Sequence, residues 1–120
     1  MKSSYIWFVP AICVALGILL LSTVFAVPIQ IEGVSGIDKV EHAFAYFVLT
    51  FSFLLAFHKA KKNRIKIVIS VIVLSAFYGL CLEYVQYYFF EYRLFEWKDA
   101  LANLTGVLLG LFIFKLSFRG

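Results

Sequence analysis

Seven side chains in this sequence have the chemistry for proton transfer or polar recognition, and their spacing sorts them into groups. Asp38 and His42 stand four residues apart, Glu83 and Gln86 three, Asp99 and Asn103 four, and Arg93 lies between the last two groups. On a helix each of these separations puts both members on one face, where they can share a hydrogen bond or a charge. His42 and Glu83 suit a general acid or base, or a ligand contact. Arg93 offers a planar cation to an anionic group, and Asp99 and Asn103 can position what binds. Asp99 could instead cap a helix start. His42, Glu83 and Asp99 together have the donor types of a metal site. No second histidine stands at metal-ligand spacing, however, so no metal or other cofactor is expected. The sequence holds no Gly-rich phosphate loop, nucleophile elbow or paired-cysteine motif, and no catalytic residue can be assigned from it.

The segments that must position these groups are apolar. Of the 120 residues 63% are hydrophobic and 15% charged, with a mean hydropathy of +0.95. A water-soluble domain does not carry that balance. At about 20 apolar residues per crossing, the chain has room for four spans and no separate soluble domain. The expected fold is all-α, a polytopic membrane protein with four transmembrane helices in a single domain over residues 1–120. The spans are expected at about 5–27, 40–57, 65–90 and 99–118. Lys2 ahead of the first run and Val24-Phe25-Ala26 near its end also fit a cleaved signal peptide, but the run exceeds the usual apolar stretch of about 7–15 residues. A retained helix is the reading adopted. Residues 29–41, with Gln30, Glu32, Gly33 and Gly36, read as loop. Cys13 and Cys81 fall inside apolar runs and read as packing residues.

Charge sets the expected orientation. Lys59, Lys61, Lys62, Arg64 and Lys66 crowd the segment between the second and third runs, which the positive-inside rule places in the cytoplasm. Both termini are then cytoplasmic, and eight basic residues lie inside against three outside, Lys39, Arg93 and Lys98. The net charge of +4 is accounted for by topology and lipid headgroups, so nucleic acid is not an expected partner. Under this topology the second and fourth spans begin at the outer surface and the third ends there. All three polar pairs therefore come to similar depth. Glu83, about two turns inside the end of its run, would cost roughly 2.5 kcal/mol or more if it faced lipid in charged form. It is expected to face the bundle interior, with His42, Arg93 or Asn103 as partner, or to keep its proton. Polar residues also fasten transmembrane helices, at about 0.6 kcal/mol each on average, and for Gln86 and Asn103 this structural reading stands level with the functional one. Gly106 and Gly110, with Ala102 one turn earlier, form a small-residue ridge that admits another helix, with Gly79 of the third span as the expected counterpart.

Asp38-Lys39 and His42 on one span, Gly79, Glu83 and Gln86 on the next, then Arg93, Asp99, Asn103, Gly106 and Gly110 resemble, in order and spacing, the VanZ-like family of bacterial membrane proteins. The resemblance covers roughly residues 36–112. It implies a multi-pass protein of the bacterial cytoplasmic membrane, in a family whose namesake is associated with resistance to the glycopeptide teicoplanin. Two functions follow as expectations. One is a protein of the cell envelope whose outward-facing polar pocket binds or modulates a lipid-linked cell-wall precursor or a glycopeptide, in contact with membrane lipids. The other is a membrane-embedded enzyme acting on a lipid-linked or phospholipid substrate, with Glu83 or His42 as base. A purely structural role for the polar residues is the third reading.

Overall fold

The computed structural model describes residues 2–22, 35–62, 64–89 and 97–118. A short 3-10 helix, Lys2–Trp7, leads into α1, Phe8–Ser22, and three longer helices follow: α2, Ser35–Lys59, α3, Ile65–Phe89, and α4, Trp97–Ser117. The described residues are all-helical. Three helices have segments long and apolar enough to cross a membrane, at Val40–Lys59, Ile65–Val85 and Ala100–Ser117, while the apolar helix Tyr5–Leu20 is shorter. Residues 23–27 of the expected first span lie outside the described residues. Ser35 to Glu41, expected as loop, is already helix, and serine is a favoured residue at a helix start. α4 likewise begins two residues earlier than the expected 99.

α2 and α4 run parallel and pack most extensively on each other. Their register is constant: Gly106 lies against the Ala43 carbonyl, Gly110 against the Phe47 carbonyl and Thr50, and the rings of Phe114 and Phe51 are 6.1 Å apart. Each pairing steps one turn along both helices. A Cβ built on Gly106 would collide with the Ala43 backbone, so only glycine permits this approach. The ridge predicted to meet Gly79 of α3 therefore meets α2 instead, because α2 supplies bare backbone at the matching height.

α3 turns back from α2 through a tight hairpin. The amide of Lys62 donates to the Phe57 carbonyl at 2.8 Å and that of Lys61 to the His58 carbonyl at 3.0 Å, with Lys61 in the left-handed region at φ 60°. This pairing satisfies carbonyls that the helix end leaves open. α1 joins the same end. The rings of Phe8 and Phe57 are 4.9 Å apart, and Lys59 Nζ lies 5.1 Å from the Trp7 ring centre. His58 meets Phe118 at 4.6 Å. The start of α1, the basic hairpin and the end of α4 thus share one end of a bundle 47 Å long.

One buried cluster joins all four helices through Ile18, Tyr46, Leu49, Leu82 and Val107, and another sits nearer the basic end around Leu54, Val71 and Phe114. The outer surface is apolar, with Ile69, Val73 and Phe77 of α3 and Leu104, Leu108 and Phe112 of α4 all exposed. Such a surface suits lipid and not water. Hydroxyls on it are turned inward to their own helices: Ser70 donates to the Lys66 carbonyl and Thr105 to the Leu101 carbonyl, each at 2.8 Å.

Candidate functional site

The polar residues gather at the end of the bundle opposite the basic hairpin. Glu83 of α3 and Asn103 of α4 are both buried, each only 3% exposed. Gly79 lies one turn before Glu83 and against Asn103. A Cβ on Gly79 would stand 3.0 Å from Asn103 Nδ2 and 3.1 Å from a ring carbon of Tyr46, so the missing side chain makes room for both. Asn103 is therefore level with Gly79. One turn further along α3, Glu83 stands at the height of the first turn of α4. Tyr46 of α2, itself buried, is within electrostatic range of both Glu83 and Tyr78. Its ring lies 6.5 Å from that of Tyr78, whose hydroxyl donates to the Ala15 carbonyl of α1 at 2.5 Å. All four helices thus reach this cluster.

Asn103 leaves one acceptor, its buried Oδ1, without a donor among the described residues. A buried acceptor in that state costs about 1–3 kcal/mol. Thr50 Oγ1 is in the same condition two turns below, packed against Gly110 with no exposure. The Cβ and Cγ2 of Thr50 border Gly110, beside the Phe47 carbonyl.

Of the residues singled out in the sequence, Glu83, Asn103 and Gly79 are brought together. His42 is half-buried on α2, one residue before the Ala43–Gly106 contact. Asp38 is the fourth residue of α2, and Gln86 lies in the last turn of α3. Asp99 is the third residue of α4, inside its first turn and not ahead of it, so the expected cap becomes a position where a carboxylate meets the positive end of the helix dipole. The side chains of Asp38, Gln86 and Asp99, and the whole of Arg93, lie outside the described residues. Among the described residues no group of three or more histidine, cysteine, aspartate or glutamate side chains is placed to hold a metal.

Tyr46 and Tyr78 were missed by the sequence reading. A signal for Tyr46 existed: Asp38, His42, Tyr46 and Thr50 recur every four residues and so form one stripe on α2. Tyr46 reads as core there because its ring is apolar. Tyr78 carries no comparable signal, since its partner is a backbone carbonyl of α1, 63 residues away.

An all-helical bundle with three membrane-length apolar helices, an apolar exterior and a buried polar cluster defines the class, a small polytopic membrane protein. The VanZ/LLP1 family model matches residues 4–118, and the chain belongs to that family. It is also 35% identical over 88 residues to an uncharacterised protein of the fission yeast Schizosaccharomyces pombe. That alignment covers 73% of the chain and 49% of the relative, so the chain spans about half the relative's length. A eukaryotic relative means that similarity does not by itself assign the chain to a bacterium. No solved structure matches it.

Proposed function

We propose that the protein crosses the membrane four times, with both termini and the basic hairpin in the cytoplasm, and uses the cluster at its outer end to bind the polar part of a lipid-linked or amphipathic ligand. Supporting the first crossing, the 15 residues of α1 and the three apolar residues of the preceding 3-10 turn rise about 28 Å, close to the roughly 30 Å of hydrocarbon. Supporting the orientation, Lys59, Lys61, Lys62, Arg64, Lys66 and Lys115 crowd one end.

The observation that carries the binding reading is Asn103 Oδ1, a buried acceptor without a donor among the described residues, on a side chain that borders Gly79 together with Tyr46. Asn103 and Tyr46 around Gly79, with Glu83 one turn further along α3, favour a ligand that brings donors, such as a sugar hydroxyl or an amine. Arg93, from the segment entering α4, serves in this reading as the contact for an anionic group such as a phosphate on the same ligand. Cell-wall lipid intermediates and glycopeptides are the candidates the family suggests, and they define the panel for the test.

The test is thermal unfolding of the detergent-purified protein beside Glu83→Gln and Asn103→Ala, with and without lipid-linked sugar precursors, glycopeptides and phospholipids. A ligand at 100 times its Kd stabilises by about 2.7 kcal/mol. The expected result is a rise in Tm for wild type with one of these compounds and none for either variant. If no compound shifts wild type and both variants simply melt lower, the cluster is a helix fastener and the binding reading fails.

A further inference from the structure

A second feature lies directly below the polar cluster. Between α1, α2 and α3 runs a groove of about 490 Å³, floored by Phe53 and its neighbours on α2 and walled by Leu74 and Cys81 of α3 and Ala15 of α1. That volume is within the range of about 300–1,000 Å³ usual for small-molecule sites. Its lining is hydrocarbon apart from Ser75 and Tyr78, and the Tyr78 hydroxyl is committed to the Ala15 carbonyl across the groove. Water has almost nothing to bind there. The groove follows α3 from Val71 to Cys81, about 15 Å of helix rise, half of a hydrocarbon layer roughly 30 Å thick. Leu74, Phe77 and Cys81 are exposed, so the groove opens sideways, through the lipid-facing surface.

The geometry points to a binding site for a single hydrocarbon chain of a membrane amphiphile, held between α1, α2 and α3 with its head toward the Asn103 and Glu83 cluster. The placing of the head rests on the function proposed above; the chain site stands on the groove. Continuity links the two: Tyr78 lines the groove, its ring is 6.5 Å from that of Tyr46, and Tyr46 touches the space left by Gly79 beside Asn103. In a bilayer the groove is in contact with acyl chains at the concentration of the solvent itself, so a snug apolar cleft of leaflet length is filled by a chain.

The test uses the full chain in phosphatidylcholine nanodiscs doped with phosphatidylcholine bearing a diazirine in one acyl chain, with photolabelled residues mapped by peptide mass spectrometry. The expected result is labelling of Phe53, Leu74 and Cys81 at least about threefold above that of Leu108 and Phe112, which are equally lipid-facing on α4, a preference of about 0.65 kcal/mol. Leu74→Trp and Cys81→Trp, two independent ways to fill the groove, should each lower the label on Phe53 by a similar factor. Even labelling of all these positions, or labelling of Phe53 unchanged by both tryptophans, overturns the proposal. The two readings separate in Asn103→Ala: groove labelling that persists while headgroup-bearing ligands cease to stabilise supports both. Groove labelling in wild type without any stabilising ligand leaves the chain site standing and removes the polar one.

Discussion

Buried amides and hydroxyls inside apolar bundles either fasten helices or wait for a ligand, and the proposed function assigns Asn103 the second role. The side-chain oxygens of Asn103 and Thr50 both lack a partner among the described residues, but Asn103 faces Gly79, Tyr46 and the turn that bears Glu83, whereas Thr50 borders Gly110 beside the Phe47 carbonyl. Thr50→Val keeps the shape and removes a buried oxygen that satisfies nothing. We expect the variant to be more stable by about 1 kcal/mol, measured as a rise in Tm in detergent. A fall of that size would mean that the hydroxyl makes a bond the native bundle depends on. Ser70 and Thr105 offer the control, because their hydroxyls already bond the preceding turn and their replacement by alanine should change stability little.

At the scale of elements, the contact between α2 and α4 is decided by glycines whose costs differ sharply. Gly106→Ala puts a methyl into the Ala43 carbonyl, a backbone atom that cannot rotate away, and the two helices must separate. About 1–3 kcal/mol of destabilisation follows from overpacking alone. Gly17→Ala meets nothing within 4 Å and should be neutral or gain about 0.5–1 kcal/mol from helix propensity. Comparing the two melting curves tests the register directly, and equal effects would show that the parallel contact is wrongly aligned. The hairpin offers a separate case. Lys61 holds a left-handed conformation at φ 60°, which costs a side chain about 1–2 kcal/mol and a glycine nothing. Lys61→Gly should therefore raise thermal stability by about 1 kcal/mol, and a clear drop would show that the lysine side chain contributes more than its backbone strain.

For the molecule as a whole, the start of α1, the basic hairpin and the end of α4 occupy one end of the bundle and the polar cluster the other. Orientation in the membrane is then a single binary choice. In a background with Cys13 and Cys81 replaced by serine, single cysteines at positions 30–38 and 92–96 should react with an impermeant maleimide in intact cells. Those at 59–63 should react only after permeabilisation. The opposite pattern would turn the cluster toward the cytoplasm and end the outward-facing form of the proposed function.

Composition and apolar run length were sufficient for the helical, membrane-type architecture, because any chain this apolar must satisfy its backbone internally. The spacing of Glu83, Asn103 and Gly79 with the glycines of α4 also sufficed to name a family that the match over residues 4–118 confirms. Helix limits were less legible: residues 29–41 read as loop because glycines and polar residues favour turns, yet α2 begins at Ser35. Tertiary structure alone decided which helix the Gly106 ridge meets, since Ala43 and Gly79 are both small enough to admit a close helix and the sequence does not record which of them lies beside α4. It alone brought Tyr78 to Ala15 and Tyr46 to Gly79 and opened the groove beneath them. Those relations depend on contacts between residues more than 30 positions apart, and local sequence pattern carries no record of the register in which distant helices pack.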